Sequence, residues 1–180
     1  MKRSEFDHAI RAAGSILGES EIFVFGSQAV HGSITDDLPE EAQRSIEVDI
    51  VAFDDTDARK ADLIDGSIGE ASLFHETFGI YAEGVSETTA VLPDGWRDRL
   101  VKYETPLTGG VVAWCLDLHD LWLAKAVAGR SKDLDFCRAF VHRGYVDPEI
   151  LRERFKSITD LTDPVITAVS SLIDDTSHER

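Results

Sequence analysis

Cysteine is scarce in this chain of 180 residues. There are only two, Cys115 and Cys137, and both sit in apolar surroundings. No Cys-x-x-Cys and no Cys/His pair at zinc spacing is present, which excludes a disulfide scaffold and gives a structural zinc no support. The pair reads as reduced, buried thiols of a cytoplasmic protein. Long hydrophobic runs are missing as well. The longest spans residues 111 to 116, far short of the ~20 residues a membrane helix needs. The opening Met-Lys-Arg-Ser-Glu-Phe-Asp-His carries no apolar leader core, so neither a membrane span nor a secretory leader is expected. Positive charge is in short supply: Lys plus Arg number 18 against 34 Asp plus Glu, a formal charge of −16. A field of that sign repels phosphate backbones at long range and disfavours general nucleic-acid binding. Gly-x-Ser-x-Gly is absent, so a serine hydrolase has no footing.

What remains is a chain with 43% apolar residues, long enough to bury a sizeable core. Phe6, Ala9, Ile10, Ala13 and Leu17 fall on one helical face, with Ser4 and Asp7 spaced like a capping box and Gly18 as the stop. Residues 22 to 25 form an apolar, β-rich run that halts at Gly26-Ser27, and residues 28 to 31 then read as the start of a helix. A polar loop over 33 to 43 leads into a strand over 45 to 53. Helical spacing returns from 56 to 68, and strands are expected at 81 to 85 and 88 to 92. Pro93-Asp94-Gly95 signals a turn. Two more strands, 100 to 103 and 111 to 116, flank a Gly109-Gly110 hairpin loop. Beyond Asp117, a helix N-cap, the chain turns helical: one helix runs to Gly129, another covers 132 to 141, and Asp147-Pro148 and Asp163-Pro164 open two more. The expected class is α+β: a mixed β-sheet flanked by helices over residues 1–116, with a helical part over 117–180 packed on it.

The chemistry concentrates in two places. Along a strand, side chains alternate faces, so Glu47 and Asp49 point the same way while Val48 and Ile50 point the other. Two adjacent carboxylates repel unless a cation lies between them, and their oxygens suit a hard ion such as Mg²⁺. An acidic solvent face accounts for the same pattern without any ion. Upstream, Gly26-Ser27 frees backbone N–H groups where a strand ends, which suits an anion; an ordinary glycine turn with a capping serine is the plainer account. Lys125 lies on an apolar helical stretch beside Trp122, Leu123 and Val127, where an unpaired ammonium is costly. Asp133, a bound phosphate, or a snorkelling path to water would each relieve it. His31 is a base-pocket candidate or a packed structural residue. Trp96-Arg97-Asp98-Arg99 is a basic, aromatic spot for which packing is the simpler reading.

In order and spacing, Val24-Phe25-Gly26-Ser27 followed by Glu47-Val48-Asp49 resembles the polymerase-β-like nucleotidyltransferases, whose signature is a strand, Gly-Ser, and an acid-x-acid pair. Arg44-Ser45-Ile46-Glu47-Val48-Asp49-Ile50 is similar to the Arg-x-Thr-x-Asp-x-Asp run of the AbiEii branch, which includes the MenT toxins. The block from Asp120 through Lys125, Arg130 and Asp133 looks like that branch's helical Lys and later Arg/Lys-Asp element. The likeness covers roughly residues 20 to 145.

The resemblance implies a nucleotidyltransferase fold that moves a nucleoside monophosphate from an NTP to an acceptor. It implies catalytic Glu47, Asp49, Lys125 and Asp133. Gly26, Ser27, Arg44, Lys125 and Arg130 would bind nucleotide. Glu47, Asp49 and a third acid, for which Glu83 is the candidate, would hold Mg²⁺ or Mn²⁺. It also implies a toxin paired with an antitoxin protein and an RNA or tRNA-end acceptor, which the net charge disfavours against a protein or small molecule. Glu47 departs from the usual Asp by one methylene, so the alternative is a catalytically degenerate fold serving as a nucleotide-binding or protein-interaction module. An inert acidic scaffold would leave Gly26, Ser27, Asp49 and Lys125 scattered.

Overall fold

A computed structural model describes residues 1–36 and 38–177. Helix α1 (Arg3–Leu17) buries Phe6, Ala9, Ile10 and Ala13 on the face that their spacing dictates, and Gly18 ends it in the left-handed conformation. Its start differs from the expected box. Lys2 is the N-cap and its backbone N–H donates to Glu5 Oε2 at 2.6 Å. Asp7 points inward instead, accepting the Tyr103 hydroxyl at 2.7 Å and the Thr105 hydroxyl at 3.0 Å. A side chain with two long-range donors is worth more inside than at a helix end.

Strand β1 (Glu21–Phe25) leads into a 3₁₀ turn, Ser27–Gly32, and a short helix α2 (Glu40–Gln43) follows within the segment expected as loop. Strand β2 (Glu47–Val51) then runs antiparallel to β1. Helix α3 (Arg59–Ile68) and helix α4 (Leu73–Phe78) precede β3 (Tyr81–Gly84), which lies parallel to β2. Helix α4 is capped by the Ser72 hydroxyl, which accepts from the His75 N–H at 3.2 Å, and it stops at Gly79, φ 72°. The strand expected at 88 to 92 does not form. A 3₁₀ turn, Glu87–Thr89, interrupts it, and Val91 is left largely exposed. Thr and Val favour strands mainly when a neighbour packs on them.

The hairpin of β4 (Val101–Tyr103) and β5 (Val112–Cys115) completes a five-stranded sheet of order β3-β2-β1-β5-β4, in which β5 lies parallel to β1. Helices α5 (Leu118–Ala128), α6 (Ser131–His142), α7 (Pro148–Phe155) and α8 (Asp163–Ser177) follow. This is a mixed α+β architecture, sheet and helices together, with the carboxyl-terminal part helical. Helix α5 buries Leu118, Leu121, Trp122, Leu123 and Ala126, residues distributed around its circumference, as a helix enclosed by others must. Trp122 Nε1 donates to the Cys137 carbonyl at 2.9 Å and so locks α5 to α6. One hydrophobic cluster runs from Phe6 through the strands to Val169 and Ile173 of α8. No helix among the described residues is long and apolar enough to cross a membrane.

A candidate nucleotide and metal site

Strand β2 lies between β1 and β3, and its alternation buries Val48 and Ile50 while Glu47 and Asp49 face the other side. The parallel register pairs Glu47 with Tyr81 and Asp49 with Glu83. Partners in a parallel ladder share a face, so four polar side chains meet above two strands. Glu47, Asp49 and Glu83 each offer a carboxylate oxygen, and these atoms all lie within 4.8 Å of one another. Tyr81 donates its hydroxyl to Glu47 Oε2 at 2.8 Å.

No lysine or arginine among the described residues forms an ion pair with these carboxylates, and the electrostatics follow. Burial, then the charge and hydrogen bonding of Glu47, push Asp49 up to about 6. Glu83 rises to about 7 through burial, then its hydrogen bond to Glu47 and that residue's charge, with Asp49 and Asp65 adding to it. Asp49 and Glu83 therefore hold their protons to higher pH than ordinary carboxyls, and a cation between them would favour their ionised forms. Tyr81 is raised above its ordinary range by burial and by its bond to Glu47, so it stays a donor.

Gly26 closes the cluster from β1. Its backbone sits at φ 60°, ψ −169°, a region that essentially only glycine occupies. A Cβ placed there would lie 1.6 Å from Asp49 Oδ2. The turn and the carboxylate are thus in contact because no side chain intervenes. The following residues form a six-residue 3₁₀ turn rather than an α-helix. The helix-terminus argument for anion binding therefore falls away there.

Across the cleft, Lys125 of α5 donates from Nζ to Asp133 Oδ1 at 3.0 Å and lies 4.8 Å from the centre of the Phe136 ring. Arg130 Nε reaches Asp133 Oδ2 at 2.5 Å. Asp133 is fully buried. Burial opposes its charge, but Arg130 and Lys125 outweigh that and hold the carboxyl below its ordinary range. Asp133 thereby fixes two cations at the mouth of an acidic pocket, and Lys125 in turn favours the ionised form of Asp49.

One cavity of about 690 Å³ brings these groups together: Gly26, Ser27, Arg44, Glu47, Asp49, Glu83, Lys125, Arg130 and Asp133 all line it. That volume suits a nucleotide-sized ligand. Arg44 is turned outward enough to pair with Glu40 at 3.0 Å, and its side chain is 61% exposed, so it stands at the rim. Part of the remaining wall is apolar, with Val85, Ala90 and Val91 after β3 and Leu121, Ala124 and Val127 from α5, while Glu41, Ser45, Thr89, Lys132 and Asp135 complete it with polar groups.

His31 is not part of the cavity. It is buried against Phe6, with ring centroids 4.7 Å apart, and neither ring nitrogen meets a hydrogen-bond partner. Trp96 packs edge-on against Phe25 at 5.4 Å while Arg97 lies over its indole and pairs with Glu87, so this spot is packing. Sequence reasoning missed Tyr81 and the apolar wall. Tyr81 was readable in principle, two residues before Glu83 on the same strand face.

The chain belongs to a family described as "nucleotidyltransferase of unknown function (DUF6036)", whose model matches residues 4–169. Comparison with curated proteins and with solved structures returns no match.

Proposed function

We propose that this nucleotidyltransferase is metal-dependent and transfers a nucleoside monophosphate from an NTP to an acceptor, releasing pyrophosphate. The observation that carries the reading is the meeting of Glu47, Asp49 and Glu83 within 4.8 Å beside Gly26. The donor set is all carboxylate oxygen, the chemistry that Mg²⁺ or Mn²⁺ prefers, and Asp49 and Glu83 are raised in a way that a cation between them would reverse. When bound, the ions would lower the pKa of an attacking hydroxyl and neutralise the triphosphate.

The chain's own groups have separate tasks. Glu47, Asp49 and Glu83 hold the cations. Gly26 lets the polyphosphate approach the backbone closely, and Ser27 offers a hydroxyl donor. Lys125 and Arg130, oriented by Asp133, present fixed positive charge where the leaving pyrophosphate develops its own negative charge. The apolar wall from Val85 to Val127 excludes water from the face on which base and sugar would rest.

The similarity of Arg44 through Ile50 to the AbiEii/MenT-like branch supports a toxin acting opposite an antitoxin protein, in the cytoplasm. A charge of −16 favours a protein or small-molecule acceptor over an RNA or tRNA end. The test combines calorimetry with Mn²⁺ and each NTP, on wild type and Asp49→Ala, with a transfer assay using α-labelled NTPs over RNA, protein and small hydroxylated acceptors. Binding lost in Asp49→Ala, with label transferred by wild type, is the expected result. Absence of nucleotide and metal binding in wild type overturns the reading. Binding without pyrophosphate release on every acceptor favours a degenerate binding module instead.

A further inference from the structure

We infer that Tyr81 is the positioning residue of Glu47, its phenol hydroxyl fixing the longer carboxylate so that its free oxygen faces the cation site. The inference rests on the metal-dependent reading above. Its physical basis is the extra rotatable bond of glutamate. A glutamate carboxylate swings through more rotamers than an aspartate, and ordering it costs side-chain entropy. Mg²⁺ tolerates little of that freedom, because it requires oxygens at about 2.0–2.1 Å in near-octahedral array.

Tyr81 removes the freedom from one side. Its hydroxyl donates to Oε2 of Glu47 at 2.8 Å, which leaves Oε1 for the cation. The phenol is itself held. Its backbone N–H donates to the Ile46 carbonyl at 3.0 Å, its strand pairs Tyr81 directly with Glu47, and its ring lies 4.9 Å from the His75 ring. A donor anchored at backbone and ring can position what it bonds. Shortening residue 47 by one methylene withdraws the carboxylate by about 1.5 Å, too far to keep the phenol and the cation site together. Glu47 and Tyr81 are therefore a matched pair, in which length on β2 is answered by a donor on β3.

The experiment is a double-mutant cycle read by Mn²⁺ binding, using electron paramagnetic resonance with Mg²⁺ competition, on wild type, Tyr81→Phe, Glu47→Asp and the double variant. Tyr81→Phe should weaken Mn²⁺ by about 10-fold to 100-fold, the usual cost of removing a group that orients a ligand. Its thermal midpoint in chelator should stay within a few degrees of wild type. Glu47→Asp should weaken Mn²⁺ as well, and the double variant should bind within about threefold of Glu47→Asp alone, because the coupling is already lost. Wild-type affinity in Tyr81→Phe, or losses that multiply in the double variant, overturns the pairing and leaves the metal site intact. Should Tyr81→Phe not fold, Glu47→Asp alone decides, with unchanged or tighter Mn²⁺ binding overturning the inference. A wild type that binds no Mn²⁺ sinks the metal-dependent reading itself.

Discussion

Two clusters of acids among the described residues are handled oppositely. At the start of α5, Asp120 is fully buried, yet Arg99 grips it through Nε at 2.8 Å and Nη2 at 3.2 Å, and Arg154 adds a contact at 2.9 Å. Its neighbour Asp117 caps the helix and also bonds Arg154. Burial opposes its charge, but His119 and Arg154 hold the carboxyl well below the usual range. On β2 and β3, by contrast, Glu47, Asp49 and Glu83 face one another with no cation among them, and two of them are pushed upward. The first cluster is complete and joins α5, α7 and the turn before β4. The second has no such ion pair among the described residues. An acid reveals its task less by its burial than by whether its charge has been answered.

The largest effect should come from breaking the answered cluster. Asp120→Ala leaves two arginines facing a buried void of charge and should cost about 3–5 kcal/mol in urea unfolding. Asp49→Ala is the opposite experiment. It should lower nucleotidyl transfer by about 10²–10³-fold. Stability without metal should hold or rise, because a repelled carboxylate is removed; a large loss in midpoint would mean that Asp49 is structural.

His31 sharpens the comparison from a third direction, as a buried titratable group that is neither answered nor vacant for a ligand. Burial first, then Arg3 and the N-terminal amine, lower it to about 4, with the Met1 backbone and Asp7 partly offsetting them. The folded protein therefore binds fewer protons than the unfolded chain between its ordinary 6.5 and 4. The stability that neutral His31 allows is full above 6.5 and lost as pH falls through that window, by up to about 3 kcal/mol. Unfolding curves at pH 7.5, 5.5 and 4.5 should show that loss in wild type and much less of it in His31→Phe. The smallest effect belongs to the exposed pair of Arg138 and Asp135 at 3.2 Å. Arg138→Ala should change stability by less than about 1 kcal/mol at any pH.

Much of the sheet could be read from local signals. The apolar run ending at Gly26-Ser27, the alternation through Glu47 and Asp49, and the hairpin glycines each report on their own segment. So do the C-terminal helices, announced by Asp117, Asp147-Pro148 and Asp163-Pro164. Some of the misses were decided by partners distant in sequence, and others by segments too short or too weakly patterned to read. Asp7 left the helix cap for Tyr103 and Thr105. The segment over 88 to 92 gave up strand form beside an edge strand and lines the cavity instead. Helix α4 had both its cap and its glycine stop in plain view, but six residues show too little periodicity to register. In the cavity, residue types were legible and their tethers were not. Lys125 and Asp133 were visible as a possible pair, whereas the bond of Tyr81 to Glu47 depends on the β2–β3 register, which no single segment encodes.

The bend at Gly26 has an evolutionary corollary. Its mirror-image backbone and the carboxylate seated where a methyl would go make this position intolerant of every residue but glycine for as long as Asp49 stays where it is. A side chain there would have to push the Asp49 carboxylate aside and take a backbone that L residues rarely adopt, so a substitution at this one codon marks lineages in which turn and acid no longer meet as they do here.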